Sequence, residues 1–182
     1  MTMSHATNEF SRPLALALLA QEGEARRVME ADAAERAALA DRFSLLRLDR
    51  LWASVHARAK GPGGLIVVEG RFEARVVQAC VVTLEPVTAE LADSFTLTFK
   101  RSRGPGDAAR KEVFVEVEAA EPPEIIETDD LDLGEVVAQL VAVALDPYPR
   151  APGAHLEADG DRDDEAARVT PFGALADLKR RP

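Results

Sequence analysis

Apolar and polar residues alternate through TAELADSFTLTFK at 88–100: Phe95, Leu97 and Phe99 against Thr96 and Thr98. This two-residue period predicts a half-buried strand. It recurs in EVFVEVEA at 112–119, where Val113, Val115 and Val117 oppose Glu112, Glu116 and Glu118. That run predicts a further strand with a wet, acidic edge or face. Between Leu45 and Lys60 the alternation is looser, and a strand interrupted near Trp52 fits best. The apolar run LIVVEGRFEARVVQACVVTLEP at 65–86 reads as one long bent strand or a strand pair, broken at Gly70 and ended by Pro86. A period of 3.6 governs two other places. VMEADAAERAALADRF at 28–43 is rich in helix formers and predicts a helix with a narrow stripe of Ala34, Ala37, Ala38 and Phe43. Leu133, Val136, Val137, Leu140, Val141 and Ala144 predict a second helix over about 132–145, capped by Asp130 or Asp132.

Punctuation fills in the remainder. Residues 10–19, an Arg-Pro step followed by LALALL, read as an edge strand, because Pro13 cannot donate to a ladder. Gln21–Glu24 and GPGG at 61–64 read as turns. RSRGPGDAARK at 101–111 is a polar loop and EPPEIIETDD an acidic connector. DPYPRAPG at 146–153 stops the second helix. The fold class expected is α+β: a curled, mostly antiparallel sheet with two main helices and a short C-terminal docking helix at 170–179. A single domain is expected over 10–153, with 154–182 as a flexible acidic tail.

Composition narrows this picture. Of 182 residues, 47% are apolar, enough for one packed core. Only 5% are aromatic, so aliphatic side chains must fill it. No apolar run is long enough to span a membrane. The N-terminal apolar stretch lacks a basic leader and carries Glu9 ahead of Arg12, unlike a signal peptide. A single cysteine, Cys80, forms no internal disulfide; with the rest this favours the cytoplasm.

Charge is unevenly spread. The net is −10, yet residues 42–111 hold twelve basic and seven acidic side chains. Residues 112–154 hold one basic and eleven acidic. Such asymmetry points to a partner with a charge pattern of its own, against the plainer reading of a solubilising face. Arg71 and Arg75 lie on the long strand, and Lys100, Arg101, Arg103, Arg110 and Lys111 bracket the loop after it. If that loop folds over the sheet edge, these cations converge as candidate phosphate contacts. Aromatic interleaving is poor, since Phe72 and Phe99 both read as core. The matching acidic candidate is Glu112, Glu116, Glu118, Glu121 and Glu124, a face for a basic partner.

Catalytic and metal signatures are thin. Cys80 has no second cysteine, and His5, His56 and His155 lack ligand spacing. DGDRDDE at 159–165 imitates a calcium loop, but Asp164 and Thr170 stand where glycine and a bidentate glutamate belong. A reactive thiolate needs a cation or helix N-terminus nearby; Val77, Val81 and Val82 would instead raise the Cys80 pKa if they surround it. A buried small hydrophobe is the simpler role. A ribonuclease would need an acid–base pair, for which His56 is the sole histidine near the expected strands.

Three segments taken in order resemble one family. QACVVTLEPV at 78–87 ahead of FTLTF, LDLGEVVAQLVAVALDPYPRAPGA at 131–154, and TPFGALADLK at 170–179 are similar to the motifs of the YceD proteins, with an alphaproteobacterial-type N-terminus. The first carries Gln78, Cys80, Thr83, Leu84, Glu85 and Pro86. The resemblance implies a non-enzymatic, cofactor-free role in accumulation or maturation of large-subunit ribosomal RNA. The implied partner is ribosomal RNA, a pre-ribosomal particle or a basic ribosomal protein. The alternative is a protein-only interaction module whose acidic face does the binding. Many relatives carry a C-x-x-C pair where this chain has Cys80 and Thr83, so a metal or redox role for the pair does not transfer.

Overall fold

The computed structural model describes residues 8–61, 64–102 and 122–155. The expected strand at 112–119 and helix at 170–179 lie outside them. The chain divides into two units, Met1–Ala151 and Pro152–Pro182, and every described strand and helix belongs to the first.

Its frame is a five-stranded sheet in the order β2-β3-β4-β5-β6. The strands are β2 (Glu24–Glu30), β3 (Arg47–Lys60), β4 (Leu65–Ala79), β5 (Pro86–Arg101) and β6 (Glu124–Ile126). Neighbours are antiparallel except β5 and β6, which run parallel over three residues, Phe99 opposite Glu124 to Arg101 opposite Ile126. A separate two-stranded sheet joins β1 (Pro13–Ala15) to β7 (Asp130–Asp132), with Pro13 opposite Asp132. Three helices, α1 (Leu16–Glu22), α2 (Ala33–Arg42) and α3 (Leu133–Ala144), complete the α+β unit.

The helices gather on one face of the large sheet. Leu51, Ala53, Val55 and Ala57 of β3, with Ile66, Val68, Phe72, Ala74 and Val76 of β4, are buried there against Leu16 and Leu19 of α1, Leu39 of α2 and Val137 and Val141 of α3. The opposite face turns Trp52, Ser54, His56 and Arg58 of β3 and Glu69, Arg71, Glu73 and Arg75 of β4 away from that core. Period-2 alternation therefore separates an aliphatic layer from a polar one.

Several expectations need correction. The sheet is not strongly curled: its order is open, and the large register irregularity a curl would use is limited to one shift between Leu48 and Arg50. Residues 10–19 do not form one strand. After Ala15 the chain turns helical, burying Leu16 and Leu19 one turn apart, until Gly23 at φ 81° ends the helix and sends its N–H to Leu19 O at 2.9 Å. The helix expected from Val28 starts at Ala33, because Glu24–Glu30 pairs along β3 despite its helix-forming composition. Asp32 then opens α2 with a capping box: its carboxylate accepts from Ala34 N and Glu35 N, and Glu35 accepts from Asp32 N at 2.9 Å. Trp52 interrupts nothing; it pairs with Glu30 and Glu73 in an unbroken β3.

Gly70 does not divide β4. A Cβ there would lie 2.7 Å from both the Phe95 ring and Ser54 O, so glycine lets the ring close over the strand. Pro86 opens β5 rather than closing β4, which ends at Ala79; a first strand position spares the missing donor. The acidic connector contains β6 and leads into β7 at Asp130. Asp132, one of the two candidates, caps α3, accepting from Gly134 N and Glu135 N.

Candidate functional site

The outward polar layer is where chemistry accumulates. Opposed residues of antiparallel strands share a face, so the register sets its rows. Val28, Ser54, Arg71 and Ser94 form one row across β2 to β5; Arg26, His56, Glu69 and Thr96 form the next; Glu30, Trp52, Glu73 and Ala92 lie on the other side. Charges in these rows are largely paired. Arg58 meets Glu69, Arg50 lies 3.5 Å from Glu73, and His56 is 2.8 Å from Glu24. The His56 contact holds the Glu24 carboxyl below its ordinary pKa.

The cations expected to meet phosphate are not gathered: Arg71, Arg75 and Lys100 are spread along this layer, while Arg101 shares the Phe99 face of β5 and lines a cavity with Leu16 and Leu19 on the helix side. Arg75 lies 3.5 Å from Glu90 and 3.8 Å from Asp49. Arg101 is bound to Asp129. Arg71 has no carboxylate partner among the described residues; its guanidinium sits 5.2 Å from the centre of the Trp52 ring. Lys100 stands on the same face opposite Leu65, six residues of strand from the Arg71 row, about 20 Å at 3.3–3.4 Å per residue. Arg103, Arg110 and Lys111 lie outside the described residues, as do Glu112, Glu116, Glu118 and Glu121. Glu124 is exposed at the start of β6.

Trp52 was missed as a site residue. Its signal is present in the sequence: Trp52, Ser54, His56 and Arg58 alternate with Leu51, Ala53, Val55 and Ala57, which puts the indole on the polar side. Phe72 and Phe99 are buried, as expected.

A second feature is the motif loop joining β4 to β5. Cys80 is wholly buried, but it stands in the turn just past β4 rather than within a strand. Its N–H donates to Glu85 O at 2.8 Å, and Leu84 N–H donates to Cys80 O at 2.9 Å. Leu84 takes φ 62°, an unfavourable value for a leucine, and projects outward with 76% of its surface exposed. The chain after α3 closes the loop: Gln78 Nε2 donates to Asp146 O at 2.9 Å, and Val81 N to Pro149 O at 2.9 Å.

The sulfur accepts backbone N–H from Ala151 at 3.3 Å and from Val82 and Thr83 at 3.4 Å. The Ala151 N–H foremost, then the Thr83 side chain and the Thr83 N–H, pull the thiol pKa down to about 6. That reverses the expectation of an apolar shell that raises it. The cover over the sulfur is thin, a turn whose Val81 is half exposed, so lost hydration weighs less than the converging dipoles. Thr83, at the place of a second cysteine, supplies an N–H to the sulfur.

The far end of the sheet has a cavity of about 620 Å³ lined by Leu16, Leu19, Ala59, Leu65, Ile66 and Arg101, among others. Among the described residues Arg101 is its single ionisable lining residue, so these offer no acid–base pair. Among the described residues no cluster of three or more histidine, cysteine, aspartate or glutamate side chains is placed to hold a metal ion. No described helix is long and apolar enough to cross a membrane.

Compared with known proteins, the chain matches one family model, described as "Large ribosomal RNA subunit accumulation protein YceD", over residues 68–179. That interval is more than half of the chain and takes in β5, the motif loop, α3 and most of β4. No curated protein and no solved structure matches.

Proposed function

The chain belongs to the YceD family, and from that premise we propose that it is a non-enzymatic factor of ribosome biogenesis that supports large-subunit ribosomal RNA by binding. The family supplies the link to that RNA; its description names accumulation and no reaction. The binding reading is carried by one observation. An aliphatic core holds up a broad polar sheet face bearing arginines, with no cleft of converging acid–base groups among the described residues. Arg71, Arg75, Lys100 and Arg101, with Arg103, Arg110 and Lys111 beyond the described part, are the proposed RNA contacts. Such a factor works in the cytoplasm, where ribosomes are assembled.

The test is charge reversal. Lys100→Glu, Arg101→Glu and Arg103→Glu together should abolish co-sedimentation with pre-ribosomal particles while circular dichroism shows the fold retained. Unchanged sedimentation would remove direct RNA contact from the proposal.

A second reading has its own support. Arg75 and Arg101 already meet carboxylates of this chain, which leaves fewer cations for phosphate. In that reading Glu112, Glu116, Glu118, Glu121 and Glu124 engage a basic ribosomal protein and the effect on RNA is indirect. The purified protein would then show no affinity for ribosomal RNA even at low salt, where phosphate contacts are strongest.

A further inference from the structure

Arg71 sits in the middle of a paired frame. Along β4 it lies between Glu69 and Glu73, both on its own face and two residues away. Either could neutralise it, but each reaches across to β3 instead, Glu69 to Arg58 and Glu73 to Arg50. The remaining guanidinium is laid over the indole of Trp52. A guanidinium held over an aromatic ring is attracted to the ring's face and keeps its edge N–H groups available, and Arg71 is exposed. Ser54 and Ser94 flank it on the neighbouring strands, and Val28, 71% exposed, ends the row. In the adjacent row Arg26 is exposed, and its charge acts on the Glu24 carboxylate of its own strand.

We propose that Trp52 and Arg71 form a docking site for single-stranded RNA on the open face of the sheet. A base stacks on the free side of the Arg71 guanidinium, extending the indole–guanidinium pair by one layer. The phosphate next to it takes the edge N–H groups of Arg71, and Arg26 supplies a cation for the following one. Single-stranded RNA is the occupant that fits, because only unpaired bases offer a face to a stacking platform on a sheet. An acidic peptide would satisfy the charge of Arg71 but leave the plane and Val28 unused. This site rests on the reading that the chain contacts RNA, and it gives that contact a place.

Trp52 is the chain's sole tryptophan, so intrinsic tryptophan fluorescence reports on this site alone. The full chain is titrated at low salt with short oligoadenylate, with duplex RNA and with polyglutamate. Saturable quenching by oligoadenylate is expected, with little from duplex or polyglutamate. Arg71→Gln should weaken oligoadenylate binding by about tenfold or more, the scale of one lost stacking contact. Arg71→Lys should weaken it too, since it keeps the charge and loses the plane. Arg71 is exposed, so neither change threatens the fold. Absence of quenching, equal quenching by polyglutamate, or unchanged affinity in both variants would overturn the site. If oligoadenylate fails while the unaltered chain still co-sediments with pre-ribosomal particles, this site falls and the functional reading stands. Loss of both sinks the two together.

Discussion

Replacing Asp132 by alanine removes one carboxylate from five donors. Its Oδ1 accepts from Arg12 N at 2.7 Å, Gly134 N at 3.0 Å and Glu135 N at 3.2 Å; its Oδ2 accepts from Ser11 Oγ at 2.7 Å and Asn8 Nδ2 at 3.1 Å. Two jobs are thus combined: capping α3 and holding the N-terminal segment against it. The cap alone contributes about 1 kcal/mol. A hydrogen bond to a charged group contributes about 1.5–3 kcal/mol, but contacts sharing one acceptor do not add fully. Asp132→Ala should therefore cost about 3 kcal/mol in all. At about 2–4 °C per kcal/mol for a chain of this size, Tm should fall by about 6–12 °C. Asp132→Ser keeps the cap and loses the reach to the N-terminal segment, so it should cost about 2 kcal/mol. Urea denaturation of the three proteins measures both differences. If alanine costs less than about 1 kcal/mol and serine nothing, the carboxylate does not anchor that segment. Acid should mimic the mutation. Burial pushes the Asp132 pKa up, but the Arg12 N–H, Ser11, Asn8 and the Glu135 N–H outweigh it and hold it below the ordinary value. Its stabilisation is therefore complete above about pH 4 and is lost as pH falls through the depressed value.

Gly134→Ala should destabilise the fold by about 2 kcal/mol or more, although alanine normally favours a helix: the added Cβ would overlap Phe10 O, and backbone must move. A gain in urea midpoint would show that α3 does not press on the Phe10 backbone. Cys80, with its thiol at about 6 against an unfolded value of about 8.5, favours the folded state above the unfolded pKa and loses that contribution as pH falls through 6. The urea midpoint should therefore rise from pH 6 to about 8.5, and Cys80→Ala should flatten that rise; identical slopes would remove the Cys80 thiol and its hydrogen bonds as the cause.

Strong local patterns were readable where burial and period agreed. Phe95, Leu97 and Phe99 do face the core side of β5, and Asp132 with the Leu133–Ala144 stripe does make α3. Errors arose where composition and tertiary pairing disagreed. EARRVME is built of helix formers, yet its backbone completes the ladder beside β3, and the ladder prevails. LALALL has the alternation of a strand, but Gly23 and the burial of Leu16 and Leu19 make it helical. The motif of Gln78 to Pro86 was visible as a unit. That the Cys80 sulfur would collect an N–H from Ala151, 71 residues onward, was not, because no local rule encodes it. The same applies to Arg71: its freedom depends on Arg50 and Arg58 claiming the glutamates beside it from another strand.

Recovery of the tagged full chain from cell extract at two salt concentrations, with bound RNA and protein both identified, bears most directly on attachment to ribosomal RNA. Large-subunit ribosomal RNA should be enriched at low salt and fall steeply at high salt, as phosphate contacts require. Recovery of basic proteins alone, with no ribosomal RNA even at low salt, would contradict it.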